Sequence, residues 1–373
     1  MRGFTIFVLI VLLIAGGVVA WLEHDWRAPY KGFKGDKIFV DIPHGLSRRS
    51  ISHQLEKNGV VYSHISFELL TRLHERQPLQ AGEYLFDAAI SPHDVLEKIA
   101  NGRVYVHSVT IPEGWTMFDI ADELERQGLC HRQDFLAAAR DPAIIRDMAP
   151  DARSLDGFLF PATYDFAKHT TPQQLAAEMV QRFRTVWASL PGIGHDTNGE
   201  PTGLPAGMTL EQVVTMASLV ERETPSLEEK PIVAGVFYNR LARRLPLQCD
   251  PTVVYALDLA GRPTHILQAN EVHFDSPYNT YIHQGLPPGP IANPGESSLR
   301  AAISPANVPF LYFVANTQGG HFFSKSLEEH NHNVARYRQL LKQLVTPSQP
   351  QVPAPNPHSS APPPTKQRTQ RHR

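Results

Sequence analysis

Cysteine is nearly absent: the 373 residues contain only Cys130 and Cys249, 119 positions apart and with no Cys-x-x-Cys spacing. That excludes a disulfide-stapled scaffold and a cysteine-rich zinc site. An oxidising compartment would permit one bridge, but nothing in the sequence brings the two thiols together. The chain also lacks a Gly-rich phosphate loop, a Gly-x-Ser-x-Gly elbow and a His-Glu-x-x-His helix. His330-Asn331-His332 places its histidines two apart, which do not share a helix face. Excess charge is small. The net charge is −2, and four positive charges lie in the tail from Pro347 with no acid among them, so residues 1–346 carry −6. Such a body offers no basic face for nucleic acid.

One apolar run is long. Phe4 to Leu22 is nineteen residues without a charge. As a helix it spans roughly 28 Å, which matches a bilayer core. Arg2 precedes it and Glu23 and Asp25 follow, so the positive-inside rule leaves the N-terminus in the cytoplasm. Trp21 and Trp26 are expected at the outer interface. Val18-Val19-Ala20 also fits a signal-peptide cleavage site. On either reading residues 23–373 are exported.

The expected fold class is α+β. Its parts are a cytoplasmic tip and transmembrane anchor (1–22), a linker (23–37), a small module (38–108), a mixed helix-and-short-strand domain (109–346) and a disordered tail (347–373). The tail holds eight prolines by Pro364 and a basic end. An internal repeat stands out. Val40 to Val61 aligns without gaps on Val109 to Cys130 at an offset of 69. Each copy reads as a strand, a Pro-x-Gly turn, a Ser/Thr cap and a helix closed by Gly59 or Gly128. The strand-helix-helix-strand flavour of 38–108 resembles LysM-like glycan-binding modules.

Further on, Pro172 to Leu190 reads as an amphipathic helix. Ser226 with Glu229 three residues later caps a helix through Arg243. From Pro246 the pattern is of short strands and irregular loops, including the rigid Gly285 to Gly295. Phe310 to Val314 and His321 to Ser324 form a hairpin, and Leu327 to Val345 a last helix.

The segment Thr209 to Thr224 is a capped helix with an unusually apolar body that ends in Glu221, Arg222 and Glu223. Desolvation at such an end raises a carboxyl toward the pKa a general acid needs at neutral pH. Acids at a helix end also sit idle in water, and helical spacing does not choose between Glu221 and Glu223. A polar and aromatic set remains as candidates: Asp156, Tyr164, Tyr238, Asn239, Arg240, Gln248, Asp250, Tyr278, Asn279 and Tyr281, with His321 on the hairpin. Aromatics mixed with amides and carboxylates suit a sugar, and equally suit loop packing.

Ala217-Ser218-Leu219-Val220-Glu221-Arg222-Glu223-Thr224 and Pro231 to Leu241 are similar to the endolytic murein transglycosylase (MltG/YceG-like) family. So are Leu247 to Val253, Ser276 to Tyr281, Gly285 to Gly295, Leu311 to Val314 and Gly319-Gly320-His321. The resemblance implies that Glu221 is the catalytic acid. It implies cleavage between N-acetylmuramic acid and N-acetylglucosamine inside a strand, with the muramic 6-hydroxyl attacking C1 to leave a 1,6-anhydro end. Asp156, Tyr238, Asn239, Arg240, Gln248, Asp250, Tyr278, Asn279, Tyr281 and His321 become candidate substrate contacts. No cofactor and no metal are implied. The implied partners are peptidoglycan glycan strands and the synthases of elongation or division. The implied location is the cytoplasmic (inner) membrane, single-pass, with the catalytic domain in the periplasm. A hydrolytic muramidase needs a second carboxylate, Asp250 or Asp156. A non-catalytic wall-binding scaffold is the third reading.

Overall fold

The computed structural model describes residues 2–195, 201–264 and 266–345; the expected tail lies outside them. A 26-residue helix α1 (Arg2–Arg27) comes first, exposed from Phe4 to Trp21. Two copies of one β-α-α-β-α plan follow. The first is β1 (Ile38–Ile42), α2 (Arg48–Lys57), α3 (His64–Leu73), β2 (Gly82–Phe86) and α4 (Pro92–Ala100). The second is β3 (Val106–Thr110), α5 (Met117–Arg126), α6 (Arg132–Ala139), a 3₁₀ turn at Pro142–Ile145, β4 (Thr163–Ala167) and α7 (Pro172–Ser189).

The repeated local chemistry explains the repeated shape. Ser47 and Thr116 cap α2 and α5, accepting from Ser50 and Asp119 N–H. Both helices close alike: Gly59 and Gly128 take φ of 70° and 71°. Val60 N–H then bonds Leu55 C=O, and Leu129 N–H bonds Leu124 C=O, as in a Schellman closure. The duplication reaches past the sequence repeat. β1 pairs antiparallel with β2 through Val40 and Tyr84, and β3 with β4 through Val109 and Tyr164. Each tyrosine hydroxyl donates to the carbonyl four residues earlier, Gln80 or Phe160. Ser91-Pro92 and Thr171-Pro172 then start α4 and α7 in the same way. The 11-residue insertion before β4 shifts the offset from 69 to 80 and hides this second half from a gapless alignment.

Two cores result. One gathers residues between Trp26 and Ile99, and the other runs from Val109 to Ala302. A polar seam joins them: Glu83 accepts from His107 and Lys168, and Asp41 pairs with Lys168 and His169.

Several expectations are corrected. The stretch 23–37 is not a free linker. Trp26 is buried, its indole N–H bonds Ser66, Asp25 accepts from Ser66 Oγ, Phe33 is buried, and Tyr30 bridges Ile90. Trp26 is thereby a core residue, and Trp21 alone remains exposed. β3 crosses the expected boundary at 108/109. After a two-residue ladder of β5 (Gly194–His195) and β6 (Pro201–Thr202) comes α8 (Leu210–Glu223). α9 (Lys230–Ala242) starts at Lys230 rather than beside Ser226, because Glu229 is drawn away by His321. Two helices replace the expected strands and loops after Pro246: α10 (Asp250–Leu259) and α11 (Glu296–Ile303). The hairpin β7 (Tyr312–Ala315) and β8 (His321–Ser324) and the last helix α12 (Leu327–Val345) follow as expected. Cys130 and Cys249 are unbonded.

The helix at the centre is α8. Thr209 and Gln212 form a reciprocal capping box, and every residue from Val213 to Val220 is buried, as expected of a helix packed on all sides.

The two closing glycines differ in one respect. A Cβ on Gly59 would lie 2.6 Å from the backbone of Gly32 and Phe33, whereas one on Gly128 meets nothing within 4 Å. Gly128→Ala should therefore cost only the left-handed penalty of about 1 kcal/mol. Gly59→Ala should cost distinctly more and loosen residues 30–33, as read by thermal unfolding of the two variants.

Candidate active site

The last turn of α8 sends its two glutamates into different surroundings. Glu221 is enclosed. Lys230 Nζ lies 3.0 and 3.2 Å from its carboxylate oxygens, Gly295 N–H donates at 3.0 Å and Ser298 Oγ at 2.7 Å. The side chains of Lys230 and Glu221 are 2% and 7% exposed. Lys230 also donates to Ser297 Oγ and approaches Glu113 at 3.8 Å. Glu113 and Gly114 belong to the Pro-x-Gly turn of the second repeat. Gly114 C=O accepts from Arg222, and Gly114 N–H bonds Asn293 C=O. The second copy of the duplicated plan thus buttresses the end of α8.

Glu223 faces a cavity of about 490 Å³. Arg240, Gln248, Asp250, Tyr281 and His321 share this cavity with Tyr312 and His330. Burial, with Asp250 adding like charge, pushes the Glu223 carboxyl up to about 7; the Cys249 thiol, His321 and Arg222 oppose the shift. His321 is fixed from behind. Its N–H and Nδ1 meet Glu229 at 2.8 and 2.7 Å, and Glu229 also accepts from Thr224 Oγ1. Burial works against the charge of Glu229, yet these contacts hold its carboxyl below its ordinary value. Arg240 spans the cavity wall, donating to Pro246 and Leu311 carbonyls and to Gln248. Tyr281 OH donates to Asp250.

The remaining sequence candidates do other work. Asp156 is 0% exposed; it accepts from Met117 N–H and Tyr255 OH at 2.7 Å and from Asn293. Asn239 pins the Val308 and Phe310 carbonyls, and Asn279 those of Val272 and Phe274. Tyr278 is buried against Tyr255. Tyr238 donates to Ala302 C=O and lines a separate cavity of about 830 Å³ at the other end of α8. Reading the sequence missed Lys230 and Asn293 and gave Glu229 only a capping role. The buried Asn293 accepts from Gly157 and Leu159 N–H and donates to Trp115 C=O. A lone Asn in a Gly/Pro-rich loop carries no local signal of that role.

Among the described residues, two groups have metal-ligand proximity, His53/Glu56/His64 and His93/Asp94/Glu97. Neither touches the cavity. The His53 and His64 rings stack with centroids 3.7 Å apart, an arrangement that disfavours in-plane coordination of one ion by both.

Two consequences are measurable. Lys230→Met strands the Glu221 charge in the interior and should destabilise by about 3–5 kcal/mol in denaturant unfolding. Asp156 is pushed up to about 6 by burial, against the pull of Tyr255, Met117 N–H and Asn293. Its neutral form is favoured in the fold, so its stabilisation is complete below its unfolded value of about 3.9 and is lost as pH rises through about 6. Asp156→Asn should flatten the stability profile across that window.

Comparison with known proteins agrees with this architecture. The YceG-like family matches residues 40–336. An endolytic murein transglycosylase of Bacillus subtilis is 31% identical over 316 residues, covering 80% of this chain and 84% of that protein. One of Streptococcus pneumoniae serotype 2 is 30% identical over 364 residues, covering 88% of this chain; the chain spans 64% of that relative's length. A solved YceG-like protein of Listeria monocytogenes is 33% identical with a TM-score of 0.51, covering 80% of this chain and 98% of that one. On the family match and these identities, the chain belongs to the YceG-like family.

Proposed function

We propose that this chain is a membrane-anchored endolytic peptidoglycan transglycosylase, and that Glu223 rather than Glu221 is its acid and base. In this reading α1 holds the protein in the cytoplasmic membrane with the N-terminus inside and the catalytic domain in the periplasm. Residues 38–108 serve as a LysM-like glycan-holding unit, on the strength of their strand-helix-helix-strand order. Synthases of elongation or division are the partners the resemblance suggests.

The observation that carries the reaction is a carboxyl near pKa 7 at the edge of a polar, aromatic-lined cavity. About half of such a group is protonated at neutral pH, so it can donate and later accept. The protonated Glu223 gives its proton to the glycosidic oxygen as the C1–O bond breaks. The muramic 6-hydroxyl then bonds to C1, and the Glu223 carboxylate takes the hydroxyl proton, which restores the acid. A tethered nucleophile needs no second catalytic carboxylate, and it brings the advantage of high effective molarity. Glu221 is disfavoured for this role because its oxygens already accept from Lys230, Gly295 and Ser298. Tyr281, Gln248, Arg240 and His321 line the same cavity as candidate sugar contacts.

Asp250 favours a second reading, because it lines the same cavity as Glu223. With two carboxylates available, a water-using muramidase is conceivable. Product mass on uncrosslinked glycan strands separates the two: transglycosylation leaves ends one water lighter than hydrolysis.

Glu223→Gln should lower turnover roughly 10³-fold, the scale of a lost general acid. Glu221→Gln should reduce the folded fraction while leaving turnover per folded molecule near the parent's. The reverse pattern would return the acid to Glu221. Since Glu223 must be protonated to act, kcat/KM should fall as pH rises through about 7.

A further inference from the structure

Exposed large apolar side chains are scattered over most of the protein, as at Leu227 and Ile266. Outside α1 they gather on one helix. On α3, Ile65, Leu69 and Leu73 recur every four residues and are 69%, 40% and 64% exposed, and Tyr62 just before the helix is 67% exposed. This spacing makes a single stripe on the side away from Phe67 and Thr71, which are buried, with the buried Ser66 at its edge. From Ile65 to Leu73 it runs about 12 Å along the axis. No element among the described residues covers it.

The stripe lies beside the point where α1 meets the folded body. Ser66, next in the chain to Ile65, accepts from the Trp26 indole and donates to Asp25 at 2.5 Å. Leu22, the end of the apolar run, packs on the same core. From Leu22 to Trp26 is roughly 6 Å along a helix axis, comparable to the headgroup layer on one side of a bilayer. A helix tied to α1 at that height lies within the interfacial zone, where leucine, isoleucine and tyrosine are favoured. Arg76, just beyond the end of α3, is exposed and suits the phosphate level, while Arg72 is exposed but paired with Glu68 at 2.6 Å.

We infer that the Tyr62-Ile65-Leu69-Leu73 face of α3 lies in the outer leaflet of the membrane that α1 spans, giving the first unit a second, monotopic contact with lipid. This rests on the anchoring role proposed for α1. The two contacts together would fix the tilt of the first unit relative to the membrane, which a single spanning helix does not do.

The test uses the full chain in phosphatidylglycerol/phosphatidylethanolamine nanodiscs, with an environment-sensitive NBD fluorophore on one introduced thiol at a time. Cys130→Ser removes the half-exposed native thiol, while the buried Cys249, its pKa raised well above the ordinary value by burial, takes no label. The labelled sites are Ile65→Cys and Leu69→Cys on the stripe, Leu12→Cys in α1 and Leu327→Cys on the far domain. Expected are quenching of 65 and 69 by lipids carrying a nitroxide near the headgroup, quenching of 12 by deep nitroxides, and none at 327. If 12 is quenched while 65 and 69 are not, the inference is overturned and the anchor stands. If 12 is unquenched, the anchoring reading falls and takes the inference with it. A blue shift at 65 that depends on protein density but not on nitroxide lipid would mean that a second copy covers the face, which also overturns it.

Discussion

The buried pair of Lys230 and Glu221 is the constraint on which the site depends. Four separate pieces of chain converge on it: the end of α8, the start of α9, the Pro-x-Gly turn of the second repeat, and the Gly295–Ser298 corner that begins α11. An ion pair removed from water gains little over an apolar contact of the same shape, but losing one member is severe. Such a pair contributes position more than stability. Here it sets the direction in which the last turn of α8 points, and hence where Glu223, two residues on, meets the cavity.

That arrangement divides two neighbouring carboxylates between unlike tasks. The one surrounded by donors serves as a tie. The one with few donors, half-buried at the cavity and poorly hydrated, has its proton affinity raised. Its surroundings then moderate the shift, because Cys249 and His321 both favour the charged form. Glu229 orients His321 from 92 residues away in sequence, while also gripping Thr224 just past the helix.

Local features of the fold were legible in the sequence. The caps at Ser47, Thr116 and Thr209, the closing glycines and the hairpin all rest on neighbours a few residues apart. α10 was not legible, because Val253, Val254 and Tyr255 favour a strand by propensity and only packing against α8 makes them helical. The site was half legible. Composition found Arg240, Gln248, Asp250, Tyr281 and His321, which share one cavity. The same composition also picked Asn239, Asn279 and Asp156, which use their polar groups to hold loops. Side-chain chemistry is alike in the two sets and only long-range placement separates them. The choice between Glu221 and Glu223 has the same character, since it turns on Gly295 and Ser298, more than seventy residues downstream.

The split into two cores has a consequence for how the chain is made. The first core is complete once Val104 has been synthesised, and its contacts are short in sequence. The second closes only when Asn293 reaches Gly157 and Leu159, across 136 and 134 residues. Long closures of that kind slow folding and prolong exposure of apolar surface. A chain emerging N-terminus first can therefore form a compact first unit early, while α8, buried from Val213 to Val220 in the finished fold, waits for the last third of the sequence. In the interval α8 is the segment most in need of a chaperone.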